Sequence, residues 1–564
     1  MLALLAAPLS QSPATDTLCN PLNLDYGTSS RGYRHSADPV IVLFKERYYL
    51  FATDDVPGYR VSDDLRAWTN VLFAPELRPL MSDNDRGTYC APAVAADKSH
   101  VYFIRMDRRK GAGTVPVMRS ADPAAGRWEE CGELRVTGDP ALFFDDDGRA
   151  WLYHGLGKPT KVFEIDTRTW REIPGSEVQL RPDVTSVADF VGGYERGRRE
   201  LVAETDTGAW LGKFKMLPCQ EAAWMTKRNG RYYLQYSTPG TVTQWYCDVA
   251  LEGDSPTGPF KPTDYSPVSL KVGGFMGSAG HSCVFRDKQG NWWRTATMWI
   301  GVYDLFERRL GLFPVKFDAR GRMSTDTALG DYPQGRNWSV QSYSKKCNAS
   351  SSLADHPPGL ASDENCRTWW SAQTGNTGEW FQMDLGKTCR LNAVQVNFAE
   401  QDVGAAGDDY HAYRLLISDD GADWRPLVDK SASRNCAPHD FVELPAPVAG
   451  RHLKLENVHT PRAGKFALRD LRVFGHGNGA PPAQVTGITI ERHAGDDRDV
   501  TVRWKPVGGA DGYILRFNEC AIQVQGGEAD KLTFHALTRG ARYRWQVDAF
   551  NDSGLTTGAN IRDE

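Results

Sequence analysis

With 564 residues the chain exceeds what one ordinary core serves, so two to four domains are expected. Lysine plus arginine (66) nearly balance aspartate plus glutamate (71), and the net charge of about −5 argues against nucleic acid or an anionic membrane as partner. No apolar run is long enough to span a bilayer, and the eleven cysteines show no C-x-x-C spacing and hence no zinc signature.

The start, Met1 to Ser10, has the apolar core and small-residue end of a secretory signal but lacks a basic n-region. A frayed terminus is the alternative, and residues 1–19 are set apart as a leader. If the protein is exported, some cysteines are expected to pair.

Residues 20–335 carry one pattern five times: a short hydrophobic strand, a turn, then an aromatic-rich strand. The copies open at Asp38, Ala91, Asp139, Glu221 and His281. In the last three the turn glycine falls at one offset, at Gly148, Gly230 and Gly290. Aromatic strands follow at Trp151-Leu152-Tyr153, Tyr232-Tyr233-Leu234 and Trp292-Trp293. Tyr48-Tyr49-Leu50 and Val101-Tyr102-Phe103 play that part in the first two copies. Asp147-Gly148 and Asn229-Gly230 are strong hairpin signals. Ser62-Asp63-Asp64-Leu65 running to Trp68, Ser120 to Trp128, and Ser255 to Phe260 read as outer turns whose aromatics seal one unit against the next. With no amphipathic helix in this stretch, the reading is all-β, a five-bladed β-propeller. The acidic run Asp145-Asp146-Asp147 reads as a solvated turn rather than a metal site.

Residues 336–476 change character. Trp369-Trp370-Ser371-Ala372, Gly378 to Gly386, Ser418-Asp419-Asp420-Gly421 with Trp424, and the closing Ala467 to Gly475 resemble a discoidin-type domain. That jelly-roll sandwich is shared with family 32 carbohydrate-binding modules. Trp380 and Phe381 sit in a period-two strand and read as core. Residues 477–483 are a Gly/Pro-rich linker. In residues 484–564, Trp504, Tyr513, Leu537 and Tyr543 stand where a fibronectin type III sandwich keeps its core. Its expected role is spacing or attachment.

A radial repeat superposes equivalent positions around one axis, so two Asp, one Glu and one His at strand entrances should converge as acid/base groups. Pro39 and Pro140 bias the residues before them, Asp38 and Asp139, toward extended geometry. Taken singly, either would read as an Asp-Pro turn; the shared register favours function.

Ser36-Ala37-Asp38-Pro39, Gly138-Asp139-Pro140-Ala141, Glu221-Ala222-Ala223-Trp224-Met225, Gly280-His281 and Phe306 to Gly311 together resemble the family 43 glycoside hydrolases. These are five-bladed propellers that cleave arabinose- or xylose-type sugars with inversion. The 11% aromatic share, with 17 Trp, suits that company. By resemblance, Asp38 is the general base, Glu221 the general acid, and Asp139 the carboxylate that orients and tunes the acid. His281 lies on the axis and holds a water or metal ion, with a satisfied structural histidine as the alternative. Arg308 contacts the sugar, with a surface Glu307–Arg309 neighbourhood as the bland reading. Tyr89 and Trp224 are pocket walls or, without the repeat, core.

Ala222 and Trp224 depart from the Gly and His of many relatives, which touches substrate range. Physics adds that Glu221 must hold a proton, raised by a neighbouring Asp139 and partial burial, while Asp38 must stay ionised. Inversion calls for about 6.5–9.5 Å between base and acid.

The resemblance thus implies an exported, cell-surface or periplasmic exo-hydrolase that removes terminal pentoses from plant polysaccharide. The alternatives are a galactose-type exo-hydrolase of the same family and a non-catalytic glycan-binding protein. No cofactor is required, a structural calcium ion is compatible, and no obligate protein partner is implied.

Overall fold

The computed structural model describes residues 17–564 except 28–31, 55, 83, 85–86, 107–113, 156–159, 181–220, 239, 495, 535–536 and 539. The leader-like Met1–Ser10 lies outside the described residues. Strands dominate, and the only α-helix among the described residues is Arg78–Met81.

Five antiparallel sheets follow one another along the first part of the chain, each four strands in chain order. Their first strands are Ser36–Phe44, Ala93–Ala96, Ala141–Phe144, Glu221–Arg228 and Gly277–Arg286; the third sheet gains a fifth strand, Val178–Gln179. Each first strand touches the first strand of the next sheet, and Gly277–Arg286 returns to touch Ser36–Phe44. The innermost strands therefore form a closed ring, which removes open inner edges. Aromatics fill the gaps between sheets: Trp128 of the second sheet meets Phe51 and Tyr59 of the first edge-on, at 6.0 and 5.7 Å. Such pairs add about 0.5–1.5 kcal/mol each beyond their buried area.

Loop chemistry corrects one expectation. Asn229-Gly230 is a two-residue turn with φ of 51° and 79°, the left-handed pair that a type I′ hairpin demands. Asp147-Gly148 is not: Phe144 pairs with Ala150, leaving a five-residue loop closed by Asp145 N to Arg149 O at 2.8 Å. Nor is Asp145 solvated. It is 6% exposed, takes the Tyr232 hydroxyl at 2.6 Å and pairs with Lys227, tying the third sheet to the fourth.

The next region, Ser339 to His476, is a single eight-stranded antiparallel assembly, with Trp380–Phe398 and His439–His459 as its longest strands. Period-two burial puts Phe381, Met383 and Leu385 inside. Trp380 departs from the core reading: it is half-buried on the outer face, with the Lys454 ammonium 5.4 Å from its ring.

The contact between these two regions is built from buried charge. Arg469 Nη2 donates to Glu307 Oε1 at 2.7 Å and lies 3.2 Å from Glu400 Oε2; Arg34 Nε lies 3.2 Å from Glu400 Oε1. Arg309 Nε donates to His439 Nε2 at 2.8 Å. Glu307, Arg309 and Arg469 are all 0% exposed, so the surface reading of Glu307–Arg309 is wrong. Burial of such ions is tolerable only because each has several partners.

The last region packs a three-stranded sheet beginning at Ile488–His493 against a sheet containing Gly512–Phe517 and Arg544–Asn551. Trp504, Tyr513, Leu537 and Tyr543 are all buried in it. It is not held away on a spacer. Tyr543 Oη donates to Ser266 O at 2.8 Å, and Thr538 Oγ1 donates to Thr263 O at 3.0 Å, so it lies against the fourth sheet. Residues 477–482 are likewise tied down, by Gly477 N to Asp552 O at 3.0 Å and Thr556 Oγ1 to Pro482 O at 2.7 Å.

Among the described cysteines other than Cys90, nine are unpaired thiols, Cys283 among them. Cys219 lies outside the described residues.

Candidate active site

The strand entrances share an unusual backbone. Asp38 has φ of 53°, Ala91 40°, Ala222 59° and His281 42°. Proline at 39 favours extended geometry before it, yet Asp38 is left-handed, at a cost of about 1–2 kcal/mol. Tertiary bonds offset that cost: Asp38 N donates to Thr297 Oγ1 at 2.9 Å, and His281 N to Ser237 Oγ at 2.7 Å. Bulges accompany the strained residues, where two residues oppose one. They fall between Ala37 and Val40, between Glu221 and Trp224, and between Gly280 and Cys283.

These bulges revise the repeat register. Aligned on them, Asp38 corresponds to Ala222 and His281, whereas Glu221 corresponds to Ala37 and Gly280. The shared glycine offset concealed this, because Gly230 ends a two-residue turn while Gly290 sits within a five-residue loop. Glu221 therefore enters one residue earlier than Asp38 does.

His281 joins the two aspartates. Its Nδ1 donates to Asp38 Oδ1 at 3.0 Å and stands 3.8 Å from Asp139 Oδ2. Arg308 Nη1 is 3.6 Å from the same Asp38 oxygen and is held by Thr241 Oγ1 at 2.9 Å. Burial alone would push Asp38 up. The charges of His281 and Arg308, with hydrogen bonds from His281 and Thr53, hold it well below the usual carboxylate range.

Asp139 goes the other way. Burial raises it to about 7; the His281 charge opposes this, and the charges of Glu221 and Asp38 add to it. Among the aspartates around His281, the raised one is Asp139. For His281, burial is outweighed by Asp38, Asp139 and Glu221, and its pKa stands at about 9. At neutral pH the cluster holds an anionic Asp38 and a cationic His281. Beside them Asp139 stands at about 7.

Sequence reasoning missed Tyr246. Its hydroxyl donates to Glu221 Oε1 at 2.6 Å, so a proton on this carboxyl sits on the other oxygen. Burial, then the Glu221 charge, pushes the phenol well above its ordinary range and keeps it a donor. A side chain at Gly280 would place Cβ 2.6 Å from the Tyr246 ring, so glycine there is what lets the ring approach. Beneath His281, Ser237 Oγ donates to Asp248 Oδ1 at 2.6 Å, and Asp248 pairs with a fully buried Arg294. No repeat spacing signals these groups: Ser237 and Asp248 lie on the second and third strands of the fourth sheet, Tyr246 just before that third strand, and Arg294 on the second strand of the fifth.

Of two proposed pocket walls, Tyr89 is core and Trp224 is partly buried between sheets. Tyr89 is 2% exposed, packs against Phe73 and Phe103, and donates to Gly58 O at 2.8 Å. Trp224 packs between the fourth and fifth sheets and donates to Val284 O at 3.2 Å. Both rings are taken up by neighbours from an adjacent sheet. Among the described residues no group of three or more His, Cys, Asp or Glu is arranged to hold a metal ion, and His281 Nδ1 is engaged by Asp38.

A buried anion, a second carboxyl raised toward neutrality and a cation between them are equipment of general acid–base hydrolysis. The family follows from comparison: residues 33–322 match glycosyl hydrolases family 43, and the chain belongs to that family as an O-glycosyl hydrolase. Residues 346–471 match the F5/8 type C domain, the discoidin-like module. Among curated proteins the chain resembles a beta-D-galactofuranosidase xynD of Aspergillus niger, 26% identical over 44% of this chain and 69% of that one. It resembles a beta-xylosidase of Xylanibacter ruminicola, 27% identical over 49% and 84%. A xylosidase/arabinosidase 43A of Humicola insolens is 29% identical over 44% and 74%.

Proposed function

We propose that this protein is an exo-acting, inverting hydrolase that removes terminal pentoses, of α-L-arabinofuranoside or β-xyloside type, from plant polysaccharides outside the cell. Asp38 is the general base, Glu221 the general acid, and Asp139 the group that shares and tunes the acid's proton. The carrying observation is the opposed electrostatics of the two aspartates around His281, one held anionic and the other raised to about 7. Relatives named as xylosidases and xylosidase/arabinosidases favour the pentose. We read the closed ring of five sheets as a five-bladed β-propeller and the last region as a fibronectin type III sandwich.

In the reaction, Asp38 takes a proton from water as that water attacks the anomeric carbon. The proton on Glu221 passes to the glycosidic oxygen as the C–O bond breaks. Each such group is worth on the order of 10²–10⁴-fold.

The test is nitrophenol release from arabinofuranoside, xyloside and galactofuranoside substrates by wild type, Asp38→Asn and Glu221→Gln. Proton NMR of the first-formed anomer accompanies it. Turnover of pentosides that both substitutions abolish, with an inverted product, is expected. A retained anomer would overturn the roles of Asp38 and Glu221. A galactofuranoside preference would move the assignment to the activity named for the Aspergillus relative.

A further inference from the structure

Immediately before Arg308 the chain forms a short, tightly held loop that presents two aromatic rings to solvent. Tyr303 is 36% exposed and Phe306 38%, although most large aromatics of this region are buried. The loop is fixed from within. Glu307 Oε2 accepts from Val302 N and Tyr303 N at 3.1 and 3.0 Å, and Trp299 Nε1 donates to Leu305 O at 2.8 Å. Its position is also fixed from the discoidin-like domain, because Arg469 donates to the same Glu307 at 2.7 Å.

That domain contributes a third ring. Trp369 lies 5.4 Å from Tyr303, ring centre to ring centre, and stacks at 4.3 Å on His356. Its indole nitrogen donates to Gln401 Oε1 at 2.9 Å. The Arg469 guanidinium sits 5.5 Å from the Tyr303 ring and 5.9 Å from that of Trp369, which joins the two rings into one surface. At the other end, the Arg308 guanidinium is 5.3 Å from the Phe306 ring and reaches to within 3.6 Å of Asp38. The aromatic run thus begins beside the catalytic base and ends on the second domain.

We infer that Phe306, Tyr303 and Trp369 form a glycan-binding shelf for the part of the substrate beyond the bond being cleaved, assembled jointly by the two domains. Sugar rings present an apolar C–H face and a polar hydroxyl edge. The first suits exposed aromatic faces, and the second suits a rim such as Gln401. Continuity with Arg308 and Asp38 selects the enzyme's own polymer as occupant. Pre-fixing the loop through Glu307 and Arg469 spares the ordering cost that binding would otherwise carry.

This inference rests on the glycosidase reading and deepens it, so the experiment separates the two. The full-length protein and its Phe306→Ala and Trp369→Ala variants are assayed on a nitrophenyl pentoside and on the matching oligosaccharide, with thermal melts to confirm folding. The ratio of oligosaccharide to nitrophenyl kcat/KM is expected to fall about tenfold in each variant, through KM. Trp369→Phe should recover most of the ratio. The same substitutions in Glu221→Gln protein should weaken oligosaccharide binding about tenfold by calorimetry. An unchanged ratio and unchanged binding in both folded variants would overturn the shelf. Weakened binding by a protein that hydrolyses no glycoside would uphold the shelf and sink the hydrolase reading.

Discussion

Arg308 and Arg309 are neighbours on the strand Arg308–Phe317, yet they serve opposite sides of it. Arg308 reaches Asp38 at 3.6 Å, while Arg309 turns into the discoidin-like domain and donates to His439. The second domain is therefore mechanically continuous with the cluster of Asp38, His281 and Asp139. Glu307 extends the same continuity, since it holds the preceding loop and is itself held by Arg469.

Removing Arg469 should show this. Arg469→Met leaves Glu307 and Glu400 short of a buried cation, and breaking a buried pair costs about 3–5 kcal/mol. Calorimetry should report a lower melting temperature together with a reduced kcat/KM. A variant that melts as wild type does would mean that water compensates at the interface.

His281 carries a pH signature. Its pKa in the folded protein is about 9, against about 6.5 for an unperturbed histidine, so between these values the native state binds more protons than the unfolded state. Its contribution to stability is full below pH 6.5 and is lost as pH rises through 9. Denaturant midpoints should fall across that window, and His281→Gln should flatten the slope. The same substitution should lower kcat/KM on the order of 10²-fold or more, because Asp38 and Asp139 lose the cation between them.

The carboxyl pair should set the alkaline limb of activity. With Asp139 at about 7, the plot of kcat/KM against pH is expected to fall above that value. Asp139→Asn removes one anion from the pair and should shift the limb to lower pH while reducing the maximum. A limb that stays in place would remove Asp139 from proton sharing.

Tyr246 and Gly280 should behave as one unit. Tyr246→Phe deletes the bond to Glu221, and Gly280→Ala pushes the ring away from it. Each should reduce kcat about tenfold or more, and the double variant should fall short of the product of the two, because both remove the same contact. Full additivity would show that they act separately.

Asp248→Asn tests the support beneath His281. Arg294 would keep its bonds to Gln235 and Thr325 but lose its counter-charge, and the amide's one remaining oxygen could no longer accept from both Ser237 and Ser282. A large loss of stability is expected, with a drop in kcat that exceeds any rise in KM. Wild-type melting would argue against a structural role for the pair.

Much of the architecture was legible because its signals are local. Asn229-Gly230 can take the left-handed turn it does, Phe381 alternates into a core, and Asp38, Asp139, Glu221 and His281 stand at strand entrances where a ring brings them together. Less legible were features with the same letters and different partners. Asp145 reads like its exposed neighbours Asp146 and Asp147 until Lys227 and Tyr232 from another sheet close over it. Tyr89 and Trp224 carry pocket-like chemistry but point into the gaps between sheets.

Strand, turn and domain order follow from alternation, glycine placement and repeat spacing, which act over a few residues and can be read along a line. The left-handed backbone at Asp38, the one-residue offset of Glu221, the Tyr246 hydroxyl and the raised Asp139 depend on groups that are not neighbours in the chain, 25 positions apart for Tyr246 and Glu221 and 259 for Asp38 and Thr297. Electrostatic energy and close packing depend on distance in space, and that distance exists only once the ring has closed.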